Sequence, residues 1–397
     1  MPATTQLELR LASRMSRLGT ETAFEVLNRA RQLEKQGKEI IHLEIGEPDF
    51  DTPANVIEAG VDALHKGWTH YGPAAGLPDL RQIIADYISR TRKVPVSSEE
   101  VVVVPGGKPI IFFTILALID AGDEVIYPNP GFPIYESMIN YSLGKAIPIP
   151  LREERDFSVD VKELASLITD RTKLIILNSP HNPTGGVLTR KDIFEVAEAI
   201  GDRNILILSD EIYSRLIYDG DHFSIMSVPG FKERTILLDG FSKTYAMTGW
   251  RMGYGVMRPD LAVHISRLVT NSNSCTASFT QIAGVEALRG DQSSVDKMSA
   301  EFKRRRDAFV AGLNQIKGFS CRTPKGAFYT FPNITKTGWS SKKLADALLE
   351  QAGVAGLSGT AFGEYGEGYL RFSVANSLEN LNKALARIEE WVGKNLR

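Results

Sequence analysis

The feature that most constrains the fold is an alternation of short β-rich runs with helical stretches, which extends from Glu100 to Met257. This alternation is typical of a parallel sheet whose strands are joined by crossover helices. It predicts an α/β fold with a mostly parallel, seven-stranded sheet in a large domain. The predicted strands are residues 101–104, 124–127, 146–149, 173–178, 204–208, 235–239 and 252–257.

Residues that can bind a ligand or take part in catalysis follow five of these predicted strands. In an open α/β sheet, ligands bind outside the carboxyl ends of the strands. We therefore expect the five loops to converge on one site. The loops are residues 106–108, 128–132, 179–186, 210–213 and 242–243.

Outside this region the pattern changes, and it predicts a second, smaller α+β domain. Beyond about Gly290 the alternation is lost, and two further strands are predicted at residues 326–331 and 369–374. The helical pattern of residues 7–37 predicts an N-terminal segment that packs on another part of the chain. We expect three parts: an N-terminal segment of residues 1–50 joining the small domain, a large domain of residues 51–290, and a small domain of residues 291–397.

The stretch Gly240-Phe-Ser-Lys243, which leaves a buried strand, places a lysine where packing alone has no need of one. In a desolvated, cation-rich pocket the pKa of such an amine falls, which favours an imine with an aldehyde. Arg251, on the way into the next strand, offers a planar fork for a phosphate. The alternative is a solvated lysine at a strand end.

Composition excludes several classes of partner. The formal net charge is -2, so nothing favours nucleic acid or an anionic membrane. The two cysteines, Cys275 and Cys321, are too few for a disulfide framework or a Cys-x-x-Cys metal site. No apolar run approaches membrane-spanning length, and residues 1–8 lack the apolar core of a signal peptide. We expect a cytoplasmic protein without a bound metal.

Four motifs occur in order at the predicted strand ends, and together they resemble the fold-type I aminotransferases of class I/II, which use pyridoxal phosphate. They are Asn182-Pro-Thr-Gly, Asp210-Glu-Ile-Tyr, Ser242-Lys-Thr-Tyr-Ala-Met-Thr-Gly-Trp-Arg and Leu370-Arg-Phe-Ser. The resemblance runs from about Leu27 to the C-terminus, and the motifs are similar to those of bacterial aspartate aminotransferases.

The resemblance implies roles for the residues around the cofactor ring. Lys243 matches the Schiff-base lysine, which also carries the proton between the substrate α-carbon and the cofactor. Asp210 matches the carboxylate that pairs with the pyridine nitrogen, although alone it could be a helix N-cap. Asn182 and Tyr213 match the pair that hydrogen-bonds the phenolic oxygen, and their alternatives are a turn asparagine and a core tyrosine. Phe132 matches the aromatic residue that stacks on the ring.

The phosphate site implied by the resemblance combines a helix N-terminus with side chains. Its members are Gly106, Gly107, Lys108, Ser242 and Arg251. A nucleotide-binding P-loop is a poor alternative, because Pro109 follows Lys108 and the spaced glycines are missing. The resemblance also implies a cis peptide between Asn182 and Pro183.

Tyr71 matches a tyrosine that reaches the phosphate of a neighbouring subunit, which implies a homodimer with shared active sites. Its alternative is a loop aromatic packed locally.

Arg371 matches the arginine that binds the substrate α-carboxylate together with the Gly46 backbone and Asn182. Its alternative is an internal salt bridge.

The implied function is transfer of an amino group from an L-amino acid to a 2-oxo acid by a ping-pong mechanism through a Lys243 imine. Lys108 stands where some bacterial relatives bind a distal carboxylate, which favours aspartate or glutamate. However, Phe24, Tyr71 and Phe362 could equally line an apolar pocket. Two alternative functions remain at this point: a carbon–sulfur lyase or synthase with the same cofactor, and a non-catalytic sensor of pyridoxal phosphate or an amino acid.

Overall fold

The structure is a computed structural model that describes residues 9–396, and its strands and helices alternate through most of that range. The strands are β1 (Ile41–His42), β2 (Val101–Val104), β3 (Glu124–Asn129), β4 (Lys145–Pro150), β5 (Thr172–Asn178), β6 (Leu206–Asp210), β7 (Thr235–Gly240), β8 (Gly253–Val256), β9 (Tyr329–Thr330), β10 (Val354–Ala355), β11 (Leu357–Ser358) and β12 (Leu370–Ser373). The helices are α1 (Thr22–Lys35), α2 (Ala54–His65), α3 (Pro78–Arg92), α4 (Lys108–Leu118), α5 (Ile134–Tyr141), α6 (Val161–Leu167), α7 (Arg190–Ile200), α8 (Pro259–Ser272), α9 (Ser278–Arg289), α10 (Ser293–Leu313), α11 (Ser341–Ala347) and α12 (Leu378–Asn395).

The largest sheet has seven strands in the order β2-β8-β7-β6-β5-β3-β4. Strand β8 runs antiparallel to both of its neighbours, and the other neighbouring pairs are parallel. This confirms the prediction of an α/β fold with a mostly parallel, seven-stranded sheet.

The central strands are buried on both faces, as expected when helices cover a parallel sheet. In β5, Leu174 and Ile176 join an apolar cluster on one face, whereas Ile175 and Leu177 join a different cluster on the other. This alternation follows from the two-residue period of a strand. Because apolar side chains hold the strands from both sides, the loops at their carboxyl ends start from fixed positions.

Two smaller sheets lie outside the large one. Strands β11, β12 and β9 form an antiparallel sheet, and β1 pairs with β10 in parallel. The residues around them share one apolar cluster, which includes Leu43, Phe302, Phe328 and Phe372. The segment before the large sheet therefore packs with the last quarter of the chain.

The predicted N-terminal helix of residues 7–37 is shorter than its pattern indicated. Helix α1 begins only at Thr22, after a single 3₁₀ turn at Ser13–Arg17, while residues 7 and 8 lie outside the described residues. Between this turn and α1, the backbone N–H of Gly19 donates to Oγ of Ser137 at 2.9 Å. The chain is thus held by a contact with α5 where the periodicity had predicted helix.

The predicted strands of the small domain are also shorter than expected. Only Tyr329–Thr330 of residues 326–331 forms a strand, because Ala327 adopts a left-handed backbone with φ 56° and Gly326 bridges to Ile217 instead. In the large sheet, by contrast, β6 extends to Asp210, which is its last residue rather than the first residue of a loop.

No helix within residues 9–396 has both the length and the apolar character needed to cross a bilayer.

Candidate active site

The predicted loops surround a cavity of about 510 Å³ at the carboxyl ends of the large-sheet strands. Eleven of the thirteen residues in the predicted site line this cavity, and Gly106 and Tyr71 are the exceptions. The eleven are Gly46, Gly107, Lys108, Phe132, Asn182, Asp210, Tyr213, Ser242, Lys243, Arg251 and Arg371.

Lys243 follows β7 and turns its amine into the cavity. Its Nζ donates a hydrogen bond to the carbonyl oxygen of Gly46 at 2.5 Å. Burial lowers the pKa of this amine from 10.5 to about 8, and Glu47 opposes the shift. Three cationic side chains lower the pKa further: Arg371, Lys108 and Arg251. Lys243 therefore has the lowered pKa that covalent chemistry with an aldehyde requires.

Asp210 ends β6 and is almost fully buried. Its Oδ2 accepts a hydrogen bond from the hydroxyl of Tyr135 at 2.6 Å, and its Oδ1 accepts from the N–H of Ile212 at 3.2 Å. Burial raises the pKa of the Asp210 carboxyl from 3.8 to about 6, although both hydrogen bonds oppose the shift. Turns rather than a helix follow it, so the alternative of a helix N-cap is not realised. A buried carboxyl of this kind suits a partner that brings a proton or a positive charge.

Tyr213 and Asn182 lie on the same cavity and belong to hydrogen-bonded pairs. The hydroxyl of Tyr213 is 2.7 Å from the hydroxyl of Tyr329. The Oδ1 of Asn182 accepts from Nη1 of Arg371 at 3.2 Å. The Asn182–Pro183 peptide is cis, which confirms that prediction.

Arg371 extends from β12 into a buried position and is only 4% exposed. Its Nη2 donates to the backbone oxygen of Glu44, and its guanidinium stacks on Tyr329 and Phe362, with Cζ 4.5 Å and 4.9 Å from the ring centroids. Within the described part of the chain it forms no salt bridge, so the alternative of an internal ion pair is not realised, and its Nε lacks a hydrogen-bond partner. A buried guanidinium with a free donor is a site for an external carboxylate.

The N-terminus of α4 forms a cradle beside Arg251. Gly106 has a left-handed backbone with φ +86°, and a Cβ built there would lie 2.3 Å from Nη2 of Arg251. Gly253 of β8 lies close to the start of α4, since a Cβ built on Gly253 would lie 2.7 Å from the backbone nitrogen of Gly107. Only glycines allow this approach. The first turn of α4 contains no acidic residue, so its positive end is available to an anion.

Lys108, the first residue of α4, is already engaged by a residue that the sequence motifs did not single out. Its Nζ forms an ion pair with Oε1 of Glu21, and both side chains line the cavity. The same Nζ lies 5.5 Å from the ring centroid of Phe132.

Tyr71 does not reach the cavity of its own chain and is 89% exposed. The alternative of a tyrosine packed locally is therefore not realised. Its role in a neighbouring subunit stays a prediction.

A buried charged network lies behind the cavity, next to the ends of β6 and β7. Arg92 Nε is 2.8 Å from Oε2 of Glu211, and Nη2 is 3.1 Å from Oδ2 of Asp239. Burial alone would raise the pKa of Glu211, but Arg92 and His222 reverse this and lower it to about 2. These contacts link Glu211, which directly follows Asp210, to Arg92 and Asp239.

The sequence and the fold of the chain are similar to those of known proteins over most of its length. Residues 38–388 match the family model "Aminotransferase class I and II". An aspartate aminotransferase from Pyrococcus horikoshii is 41% identical over 383 residues, covering 96% of this chain and 96% of that protein. Aromatic-amino-acid aminotransferase 2 from Thermococcus litoralis is 39% identical over 356 residues, covering 88% of this chain and 91% of that protein. Among solved structures, the aspartate aminotransferase from Thermus thermophilus with maleate superposes with a TM-score of 0.93 at 35% identity, covering 96% of this chain and all of that one (100%).

Proposed function

The chain belongs to the aminotransferase class I and II family and is a transaminase that uses pyridoxal phosphate; from this premise we propose that it moves the amino group of aspartate or glutamate to a 2-oxo acid. Its substrates are an amino acid and a 2-oxo acid. The finer assignment of an acidic substrate rests on two cations, Arg371 and Lys108, in one cavity of about 510 Å³. A dicarboxylic amino acid offers one carboxylate to each.

The residues around the cavity fit pyridoxal phosphate in their chemistry. Bound pyridoxal phosphate supplies an aldehyde and an electron-withdrawing ring. Lys243 would hold the aldehyde, Asp210 would hold the proton on the ring nitrogen, and Phe132 would stack on the ring. The cradle beside Gly106, which a Cβ would fill, suits a phosphate, and Gly107, the backbone N–H of Lys108, Ser242 and Arg251 would bind it. Asn182 and Tyr213 would donate to the phenolic oxygen.

The reaction requires the chain to orient the substrate and to move a proton. Arg371 binds the α-carboxylate with the help of Gly46 and Asn182, which fixes the α-carbon near Lys243. The amine of Lys243 would accept the proton from the substrate α-carbon and would later donate it to the carbon that belonged to the cofactor's aldehyde. Because burial keeps its pKa at about 8, this amine exchanges a proton readily near neutral pH.

We also propose a homodimer with shared sites, in which Tyr71 serves the neighbouring subunit. The support is its exposure of 89%, which leaves its ring and hydroxyl free to contact another subunit. We also propose that residues 1–50 join the small domain of residues 291–397, which the pairing of β1 with β10 supports.

The test is a matrix of amino acids against oxo acids with purified holoenzyme. Aspartate, glutamate, alanine and phenylalanine are each paired with 2-oxoglutarate and pyruvate, with product amino acids measured by chromatography. We expect the highest kcat/KM with aspartate or glutamate, and Lys243→Ala should lose both turnover and the visible absorbance of the bound cofactor. Release of ammonia and pyruvate without an oxo acid would favour the lyase alternative. A preference for phenylalanine would refute the acidic substrate.

A further inference from the structure

We propose that Glu21 sets how readily the site accepts a distal carboxylate on its substrate, because the Glu21 carboxylate competes with that group for Lys108. This inference rests on the proposed function and deepens it. It assigns a specificity-determining role to a residue of the N-terminal segment.

The ion pair between Glu21 and Lys108 lies on the cavity wall. The side chain of Glu21 is 23% exposed and that of Lys108 is 42% exposed, so both face the space that the substrate enters. Lys108 is the first residue of α4, where the positive end of the helix disfavours an ammonium and favours an anion beside it. The carboxylate of Glu21 meets this need while no substrate is bound.

Helix formation does not explain the orientation of Glu21. It is the N-cap residue of α1, yet its side chain makes no capping hydrogen bond. Its carboxylate instead reaches a lysine 87 residues away in the chain. The side chain is therefore directed towards the cavity rather than used to begin its own helix.

Glu21 also lies near the second cation of the site. Together with Arg371, Phe132 and Phe362 it lines a small void of about 20 Å³. Glu21 thus places one negative charge in the region between the two cations proposed to bind the two carboxylates of an acidic substrate.

The consequence is an exchange of partners. With a neutral amino acid the ion pair stays intact, so the substrate side chain meets a lysine whose charge Glu21 already balances. With aspartate or glutamate, the distal carboxylate must displace Glu21 from Lys108, and two carboxylates then compete for one ammonium. The acidic substrate gains an ion pair only by breaking another, so Glu21 limits the preference for acidic over neutral substrates.

The test compares Glu21→Gln with Glu25→Gln in the holoenzyme. Glu25 lies one turn further along α1, is exposed and does not line the cavity, so its variant makes the same chemical change outside the site. We expect Glu21→Gln to raise the ratio of kcat/KM for aspartate to that for alanine by about five- to ten-fold over the control, as removal of a partly exposed competing charge allows. Calorimetry should show the same gain in the affinity for succinate relative to propionate.

A second pair of variants tests whether the effect acts through Lys108. In a Lys108→Met background, Glu21→Gln should change the ratio by less than about two-fold, because no ammonium is left to compete for. A ratio that Glu21→Gln leaves at the control value, or lowers, overturns the inference. The inference is also overturned if Glu21→Gln and Glu25→Gln bind succinate with equal affinity, or if neither binds it.

Failure of the proposed function would have a different signature. In that case wild type and Glu25→Gln would both use phenylalanine or alanine with a higher kcat/KM than aspartate or glutamate, whereas the calorimetric comparison would still measure the effect of Glu21 on dicarboxylate binding.

Discussion

Replacing Lys243 with methionine should make the cofactor-free protein more stable at pH 7, even though it removes the residue on which catalysis depends. The reason is the cost of holding a charged ammonium in the cavity wall. Burial lowers the pKa of the Lys243 amine from 10.5 to about 8. Methionine fills a similar volume without a charge.

The sign of the effect follows from proton binding in the two states. Between pH 8 and pH 10.5 the folded chain has released the Lys243 proton while the unfolded chain still holds it. The free energy of unfolding of the wild type therefore rises with pH across this window. Below pH 8 both states are protonated, and the full cost of the buried charge remains.

The magnitude follows from the same shift. A difference of about 2.5 pKa units corresponds to about 3.4 kcal/mol. Lys243 borders a cavity that admits water, which reduces this cost, and the variant loses the hydrogen bond from Nζ to the oxygen of Gly46. We expect a net gain of about 1–2 kcal/mol at pH 7, falling to zero or below by about pH 10.5.

The assay is urea unfolding of the apoenzyme at a fixed protein concentration, from pH 7 to pH 10.5. Lys191→Met serves as the control, because Lys191 lies on α7 with its side chain 82% exposed. The reasoning is refuted if Lys243→Met is less stable than the wild type at pH 7, or if the difference between them does not change with pH.

Three further experiments test individual roles. Asp210→Asn should keep the cofactor bound but lower kcat by about 10²- to 10⁴-fold, because the ring nitrogen loses its anionic partner; a loss under ten-fold in steady-state assays would contradict its role. Arg371→Leu should lower kcat/KM by about 10²- to 10³-fold for alanine and aspartate alike, since both present an α-carboxylate; a loss confined to aspartate would assign Arg371 to the distal group instead. Tyr71→Ala and Lys243→Ala are each expected to be inactive or impaired alone, but mixing their subunits should restore activity, because a mixed dimer contains one intact site. If a mixed dimer confirmed by mass spectrometry shows no recovery, Tyr71 lies outside the shared site.

Much of the fold and the site could be predicted because the signals are local. Buried parallel strands are short apolar runs, and the loops that follow them are marked by Gly, Pro and polar residues. Lys243, Asp210 and Asn182 stand at such strand ends, and the structure brings them to one cavity. Their individual roles stay predictions, as does the cytoplasmic location.

The residues that sequence reasoning missed depend on contacts between distant positions. Tyr135 reaches Asp210 across 75 residues, and Tyr329 reaches Tyr213 across 116. Each is an ordinary aromatic residue in its own segment, so no local pattern distinguishes it from a core residue. Glu21 was missed for the same reason, and the N-terminal helix was predicted too long because periodicity does not reveal that Gly19 is bound by Ser137.

The pairing of β1 with β10 has a consequence for biosynthesis. Residue 41 is made long before its partner in the strand pair, residue 354. The seven-stranded sheet can close once residue 256 is free, so the large sheet can form during translation while the first strand waits unpaired. Nascent chains stalled before residue 354 should therefore expose the apolar side of the N-terminal segment to chaperones, and chains released after it should not.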